Sequence, residues 1–424
     1  MNDINLSVYK TLGYIYNQLG DYKNACKYMN KFIIYGSTPQ ITAEDYNLLG
    51  FYYERLYTLI SHGLYDLNRA IDNFLLAANK KPNDRHYLNN VTITASKANQ
   101  QALAGRYWNK LFKLGGLTND DKFDYAAYCL KNGDFKGWEK YYEYRFDKET
   151  NPTVIPKIDK PRWDGSQDIS DKTLLVCYEQ GFGDTILMAG YLPRLTKIAK
   201  KVIYVVQDSL TALIRNSFKD INIISATDFK TRFLDYDYYI PSMSIPMALK
   251  LDRENISVGE GYIKPNEEIV HRYKTLFFDN NKLKIGLSLS GNKNGDTTRD
   301  IPIEAIKPLT KLKNVQLYLL NKDIEIDNPK IINLGQTFND FYDTAGAIAN
   351  CDIVISADNV LMNLAGAIGV KTFGLFNYHN QFRYFDLTGD NIVWYTSVKP
   401  FVCNDVNNWK GLVGRIIKEK LSEK

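Results

Sequence analysis

The first third of the chain repeats itself, and no other feature restricts its fold as strongly. One copy reads Tyr9, Leu12, Gly13, Tyr16, Ala25 and Met29; a second reads Tyr46, Leu49, Gly50, Tyr53, Ala70, Phe74, Ala77 and Pro82. The spacing predicts pairs of helices in which Gly13 and Gly50 let the first helix approach the second closely. Ala25 and Ala70 serve the same purpose from the other side, and the aromatics fill the layer between pairs. The second copy holds eight extra residues between Tyr53 and Ala70, which predicts an inserted turn at SHGL. A degenerate third copy runs from Leu88 through Ala104 to Trp108, and a fourth pair is expected over Lys122 to Phe146. Each such pair buries its apolar face only against its neighbours, so about three or more are needed for stability. The competing reading is a generic helical bundle with coincidental spacing.

These positions are those of the tetratricopeptide (TPR) repeat, whose period is about 34 residues. The array is expected to occupy residues 1–148. Beyond it, ETNPTVIPKIDKPRWDG carries Pro152, Pro156 and Pro161 with no helical period, and reads as an extended linker. Short β-rich runs then alternate with helical stretches: TLLVCYE, KVIYVVQ, INIISA and YDYYIP, then KIGLSLSG, VQLYLLN, KIINLG, DIVISAD and KTFGLFN. Such alternation predicts parallel sheets built from βαβ units. The helical stretch EEIVHRYKTLFF separates the two blocks, giving an α/β domain over 149–265 and another over 266–424. Ligands in such sheets bind outside the carboxyl ends of the strands.

Composition excludes several classes. Hydrophobic residues at 45% and charged residues at 24% fit a globular chain, and a net charge of +5 over 424 residues is too weak to argue alone for nucleic-acid binding. The 5 cysteines include no CxxC pair and only 4 histidines accompany them, which argues against a disulfide framework or a zinc site and for a reducing compartment. MNDINLSVYK lacks the pattern of a signal peptide, and no run approaches the roughly 18 apolar residues of a membrane span. A cytoplasmic protein with no bound cofactor or metal is the expectation.

Three strand-to-helix loops carry candidate chemistry. In EQGFGD, Gly181 and Gly183 permit a tight turn and close ligand approach, and Asp184 is either a helix cap or a working carboxylate. In LSGNKNGDTTRD, Ser290, Gly291 and Asn292 form a small-residue loop followed by Lys293 and Arg299, cations suited to a diphosphate or simply solvated. In DIVISADNVLMN, Asp358 ends a strand, and Asn359, Val360, Leu361 and Asn363 open a helix whose first N–H groups can hold an anion. A full dinucleotide fingerprint and a GxxxxGK[ST] loop are both absent, so nicotinamide redox chemistry and P-loop hydrolysis lose support.

Taken in order, GDFKGWEKYYEYRF (133–146), PRWDG (161–165), EQGFGDTI (179–186), YLPRL (191–195), SIP (244–246), LSGN (289–292), TRDIPIEAI (298–306), DTAGAIANCDIVISAD (343–358), NLAGAIG (363–369) and WYTS (394–397) resemble a known family. It is that of TPR-containing glycosyltransferases related to the ADP-heptose:lipopolysaccharide heptosyltransferases, glycosyltransferase family nine. The resemblance implies a GT-B fold, two Rossmann-like domains facing a cleft, with a nucleotide-sugar donor held mostly by the second. It implies that Asp184 is the general base of an inverting transfer, and that Arg299 and the Asp358–Asn363 turn hold the donor. Asn363 stands where the family usually has His, Asn359 where it has Thr or Ser, and Phe382-Arg383-Tyr384 where it has a tryptophan-rich stretch.

The resulting expectation is a metal-independent glycosyltransferase whose TPR surface selects a protein, glycan or nucleic-acid acceptor. Its rivals are a TPR interaction protein with an inactive transferase half, and a nucleic-acid-modifying transferase favoured slightly by the lysines at 197, 200 and 201 and at 307, 311 and 313. Asp235-Tyr236-Asp237 matches a metal-binding DxD but reads better as the approach to a strand, and His379 as a solvated loop residue.

Overall fold

A computed structural model describes residues 6–37, 39–61, 63–291, 297–378, 383–384 and 389–421. The chain divides into two compact units, one comprising Met1–Tyr128 and Asp405–Asn407, the other Cys129–Asn404 and Asn408–Lys424.

The first unit is a helical repeat array. Its pairs are α1 (Leu6–Gln18) with α2 (Tyr22–Tyr35), α3 (Ala43–Leu56) with α4 (Leu64–Lys80), and α5 (Arg85–Lys97) with α6 (Gln101–Leu114), followed by the start of α7 (Asn119–Lys131). The repeat residues act as their spacing implies. A Cβ on Gly13 would already touch Ala25 O and Met29 at 3.4 Å, and one on Gly50 would lie 2.5 Å from the Phe74 ring. Ala25, Ala70 and Ala77 are buried with Leu49, Phe74, Leu88 and Trp108 in one continuous core. The insertion in the second copy forms a π-helical turn, Tyr57–Ser61, before Gly63 starts α4.

The second unit opens with α8 (Phe135–Tyr141) and a 3-10 turn, Tyr142–Phe146. It then builds two wholly parallel sheets. The first sheet has β1 (Thr173–Cys177), β2 (Lys201–Val206), β3 (Asn222–Ser225) and β4 (Tyr238–Pro241), in the order β3-β2-β1-β4. The second has β5 (Leu283–Ser288), β6 (Val315–Leu319), β7 (Ile331–Asn333), β8 (Ile353–Ala357), β9 (Thr372–Phe376) and β10 (Val398–Val402), in the order β10-β9-β8-β5-β6-β7. Strand order therefore reverses beside β1 in one sheet and between β5 and β8 in the other, the places where open α/β sheets bind ligands.

Two sequence readings need correction. The strand β10 was not expected, because Pro400 breaks the donor pattern of VKPFV; it is tolerated because β10 is an edge strand. The proline-rich linker is more than a free connection. Its end clips onto β4, with Trp163 N–H donating to Tyr239 O at 2.8 Å and Tyr239 N–H to Pro161 O at 3.1 Å. The DxD decoy is structural at Asp237, whose carboxylate accepts the Thr173 N–H at 2.7 Å where β1 begins.

Candidate functional site

The loop after β1 shows how the site is made. Gln180 takes a left-handed backbone, φ 63°, a strained choice for a residue with a Cβ. The chain turns there directly into helix α9 (Phe182–Ala189). Asp184 is thus not the helix cap that its sequence position suggests. Gly181 is the capping position, and Asp184 sits one turn later with Oδ2 accepting the Gly181 N–H at 3.0 Å. That leaves Oδ1 facing outward, although the residue is only 6% exposed.

Behind this loop lies a buried charge pair. Glu179, 1% exposed, receives Arg145 Nε at 3.0 Å and Nη2 at 2.8 Å, plus the Met243 N–H at 2.8 Å. The same guanidinium donates to Ser244 Oγ at 2.7 Å and to Glu143 at 2.8 Å, and stacks over Tyr142 and Phe146. This fork fixes the residue directly before Gln180.

From the second sheet come two loops tied into one piece by Asn359. Its Nδ2 donates to Ser288 Oγ at 2.8 Å and Ser290 O at 2.9 Å, while its Oδ1 caps the helix Val360–Ile368 by accepting from Leu361 N at 2.9 Å and Met362 N at 3.3 Å. Asn321 supports the first loop, accepting from Leu289 N at 2.7 Å and donating to Ser290 O at 3.0 Å. Arg299 donates to Asp358 O at 3.1 Å, with the Asp358 carboxylate 3.5 Å away.

The expectation that these helix-start amides stand open is corrected for Leu361, whose N–H is taken by Asn359 itself. The expectation that Asn363 offers its amide to a ligand is corrected as well. Asn363 donates to Asn359 O at 3.0 Å and Tyr384 OH at 3.4 Å, and accepts from Tyr395 OH at 3.1 Å. It brackets two tyrosines, and burial pushes both phenols up so that they remain protonated. Gly183 also has a second role. A Cβ there would lie 3.1 Å from Asn363 Nδ2 and 3.5 Å from Val360 Cα, so the start of α9 rests on the opposing helix.

The three loops border one cavity of about 690 Å³. Gly181, Gly183, Asp184, Ser290, Gly291, Arg299, Asp358, Asn359, Val360, Leu361 and Asn363 line it together; Asn292, Lys293 and His379 lie outside the described residues. Its far end, beyond β6 and β7, is walled by Leu320, Lys322, Phe338 and Phe341, with Phe341 packed on Phe182 at 5.1 Å between ring centroids. The sequence reading missed one central residue. Arg383, from the loop after β9, reaches across and ion-pairs with Asp184 Oδ1, with Nη2 3.4 Å from Gln180 Oε1. A lone arginine in a loop gives no local signal of such a partner. The cavity therefore opposes a carboxylate from the first sheet to two guanidinium groups from the second, an arrangement able to accept a proton on one side and to neutralise an anion on the other.

No family model matches the chain. It is 25% identical over 316 residues, 66% of its length, to protein FlbA of Caulobacter vibrioides, and the match covers 51% of FlbA. The chain thus spans about half the length of this curated relative. It is similar in structure to the glycosyl transferase family 9 protein of Veillonella parvula, at 14% identity and a TM-score of 0.41, over 60% of this chain and 91% of that one. The likeness to PilF of Pseudomonas aeruginosa has 12% identity and a TM-score of 0.27, and covers 34% of this chain and 60% of that one. Among the described residues, no helix is long and apolar enough to cross a membrane.

Proposed function

We propose that the second unit is a glycosyltransferase that moves a hexosyl or heptosyl group from a nucleotide-sugar donor to an acceptor, with inversion and without a metal. The observation that carries this reading is the single cavity in which Asp184, at the reversal of one sheet, faces Arg299 and Arg383, beside the reversal of the other. Its volume suits a ligand of nucleotide-sugar size. The acceptor oxygen attacks the anomeric carbon from the face opposite the diphosphate. Its proton passes to Asp184 as the new bond forms, and the electrons of the breaking C–O bond leave with the diphosphate, whose charge the arginines offset. The acceptor is a protein, glycan or nucleic acid, and the helical array is the element suited to selecting it, since such arrays present extended concave surfaces.

The test pairs binding with a single substitution. A panel of nucleotide sugars is screened by thermal shift, in which a ligand at 100 times its Kd stabilises by about 2.7 kcal/mol. With the donor so found, Asp184→Asn is assayed for donor hydrolysis and transfer. Asparagine still accepts the Gly181 N–H, so folding is preserved while the rate falls by at least ~10². Near-normal turnover by this variant would remove Asp184 from the chemistry, and a panel with no binder would remove the donor reading.

A further inference from the structure

The Asp184–Arg383 contact is unusual as a purely structural ion pair. It joins loops 199 residues apart across an open cavity, and both partners line that cavity. The guanidinium is only partly satisfied. One nitrogen meets Asp184, another reaches Gln180 Oε1 at 3.4 Å, and Nε is buried with no hydrogen-bond partner among the described residues. Arg299, by contrast, is anchored to the Asp358 carbonyl in its own half. The backbone beneath Arg383 is held, since its carbonyl accepts the Trp394 indole N–H at 2.9 Å, so the side chain swings from a fixed base.

We propose that Arg383 is the cation that receives the β-phosphate of the nucleoside diphosphate, and that Asp184 is its resident counter-ion, displaced when the donor enters. The proposal rests on the glycosyltransferase reading and adds to it a residue and an order of events. If Asp184 takes the acceptor's proton, it lies close to the anomeric carbon, and the β-phosphate oxygen is bonded to that same carbon. The leaving oxygen lies on the opposite face of that carbon, so the guanidinium that holds Asp184 reaches the phosphate by a short swing across the anomeric centre. A diphosphate offers more charge and a second oxygen for the planar fork, and outcompetes one carboxylate. A carboxylate that loses its guanidinium partner is a stronger proton acceptor. Donor binding thus arms the base, which the ion pair with Arg383 otherwise holds silenced.

The test is a double-substitution cycle on the full chain, read by calorimetric affinity for ADP, GDP, UDP, CDP and dTDP and for the corresponding monophosphates. For the base that binds best, Arg383→Gln is expected to weaken the diphosphate at least tenfold and the monophosphate less than threefold. Asp184→Asn is expected to tighten the diphosphate at least threefold, because the competing carboxylate charge is gone. In the Arg383→Gln background the same Asp184→Asn change is expected to alter affinity less than twofold. Should the glutamine variant not fold, Arg383→Lys carries the test: it keeps the charge, loses the fork, and is expected to lose threefold in diphosphate affinity alone. Equal diphosphate binding by the Arg383 variant, or tightening by Asp184→Asn that persists without Arg383, would overturn the exchange while leaving the donor site standing. A wild-type chain that binds none of the diphosphates would instead overturn the donor reading, and this inference with it.

Discussion

Arg145→Met should be among the most damaging single substitutions in the second unit. Methionine preserves the bulk of the side-chain stem but strips Glu179 of both guanidinium contacts, at 3.0 and 2.8 Å, and leaves that carboxylate at 1% exposure with the Met243 N–H as its remaining partner shown here. Removing one partner of a buried ion pair costs about 3–5 kcal/mol, because the other is left charged and dry. At about 2–4 °C per kcal/mol for a domain of this size, the thermal midpoint falls by about 6–20 °C. Glu179→Gln should cost less. The glutamine oxygen still accepts from Met243, and Arg145 keeps Glu143 at 2.8 Å. The double variant removes the stranded charge and should be more stable than the two losses added together, by about 1–3 kcal/mol. Urea titration followed by tryptophan fluorescence reads all four proteins, since Trp138 and Trp163, both in this unit, are each 3% exposed. A loss below about 1 kcal/mol for Arg145→Met, or strict additivity in the cycle, would refute the idea that the fork holds the loop through a desolvated charge.

Asn359→Ala should lower stability by about 1–3 kcal/mol in thermal unfolding, since it uncaps a helix and frees two loops at once. Asn359→Asp should not rescue it, because aspartate caps but cannot donate to Ser288 and Ser290. Activity, once a donor is known, should survive dialysis against a chelator unchanged; loss that manganese restores would bring Asp235 and Asp237 back into consideration. Desolvation lowers the Lys131 ammonium to about 8, so the folded state releases its proton before the unfolded chain does. The resulting penalty is present below pH 8 and fades as the pH rises towards the free-lysine value. Lys131→Met should therefore stabilise the protein at pH 7 in urea titrations, with the advantage shrinking by pH 10; an advantage that grows with pH would contradict this.

Local chemistry made much of this molecule readable in its sequence. Gly13 and Gly50 announced helix contacts because only a missing Cβ allows them, and TLLVCYE or DIVISAD announced strands because buried parallel strands are apolar on both faces. The three small-residue loops were legible for the same reason, and they do converge on one cavity. What escaped was whatever depends on partners distant along the chain. Arg383 carries no mark of Asp184, nor does Arg145, in a segment that reads as part of a helical repeat, carry any mark of Glu179. The asparagines misled in a different way. Asn359 and Asn363 look like ligand-binding amides in sequence, yet their donors and acceptors are engaged within the fold, and sequence does not distinguish an offered amide from an occupied one.

Below the cavity, Asn363 accepts from Tyr395 OH at 3.1 Å, Tyr395 lies 3.5 Å from Tyr262 OH, and Tyr262 donates at 3.0 Å to the carbonyl of Ile186 in α9. This chain of hydroxyls runs from the helix of one sheet to the helix of the other, while above it Gly183 lies so near Val360 that a Cβ would come within 3.5 Å of its Cα. A joint hydrogen-bonded at its base and held at its lip by the Asp184–Arg383 ion pair resists sliding, and opens only where that ion pair gives way. Shear would strand hydroxyls that burial forbids to ionise, whereas a clamshell swing separates only the lip. Release of the Asp184–Arg383 ion pair therefore frees the edge of the cavity while the hydroxyl chain keeps the two lobes in register.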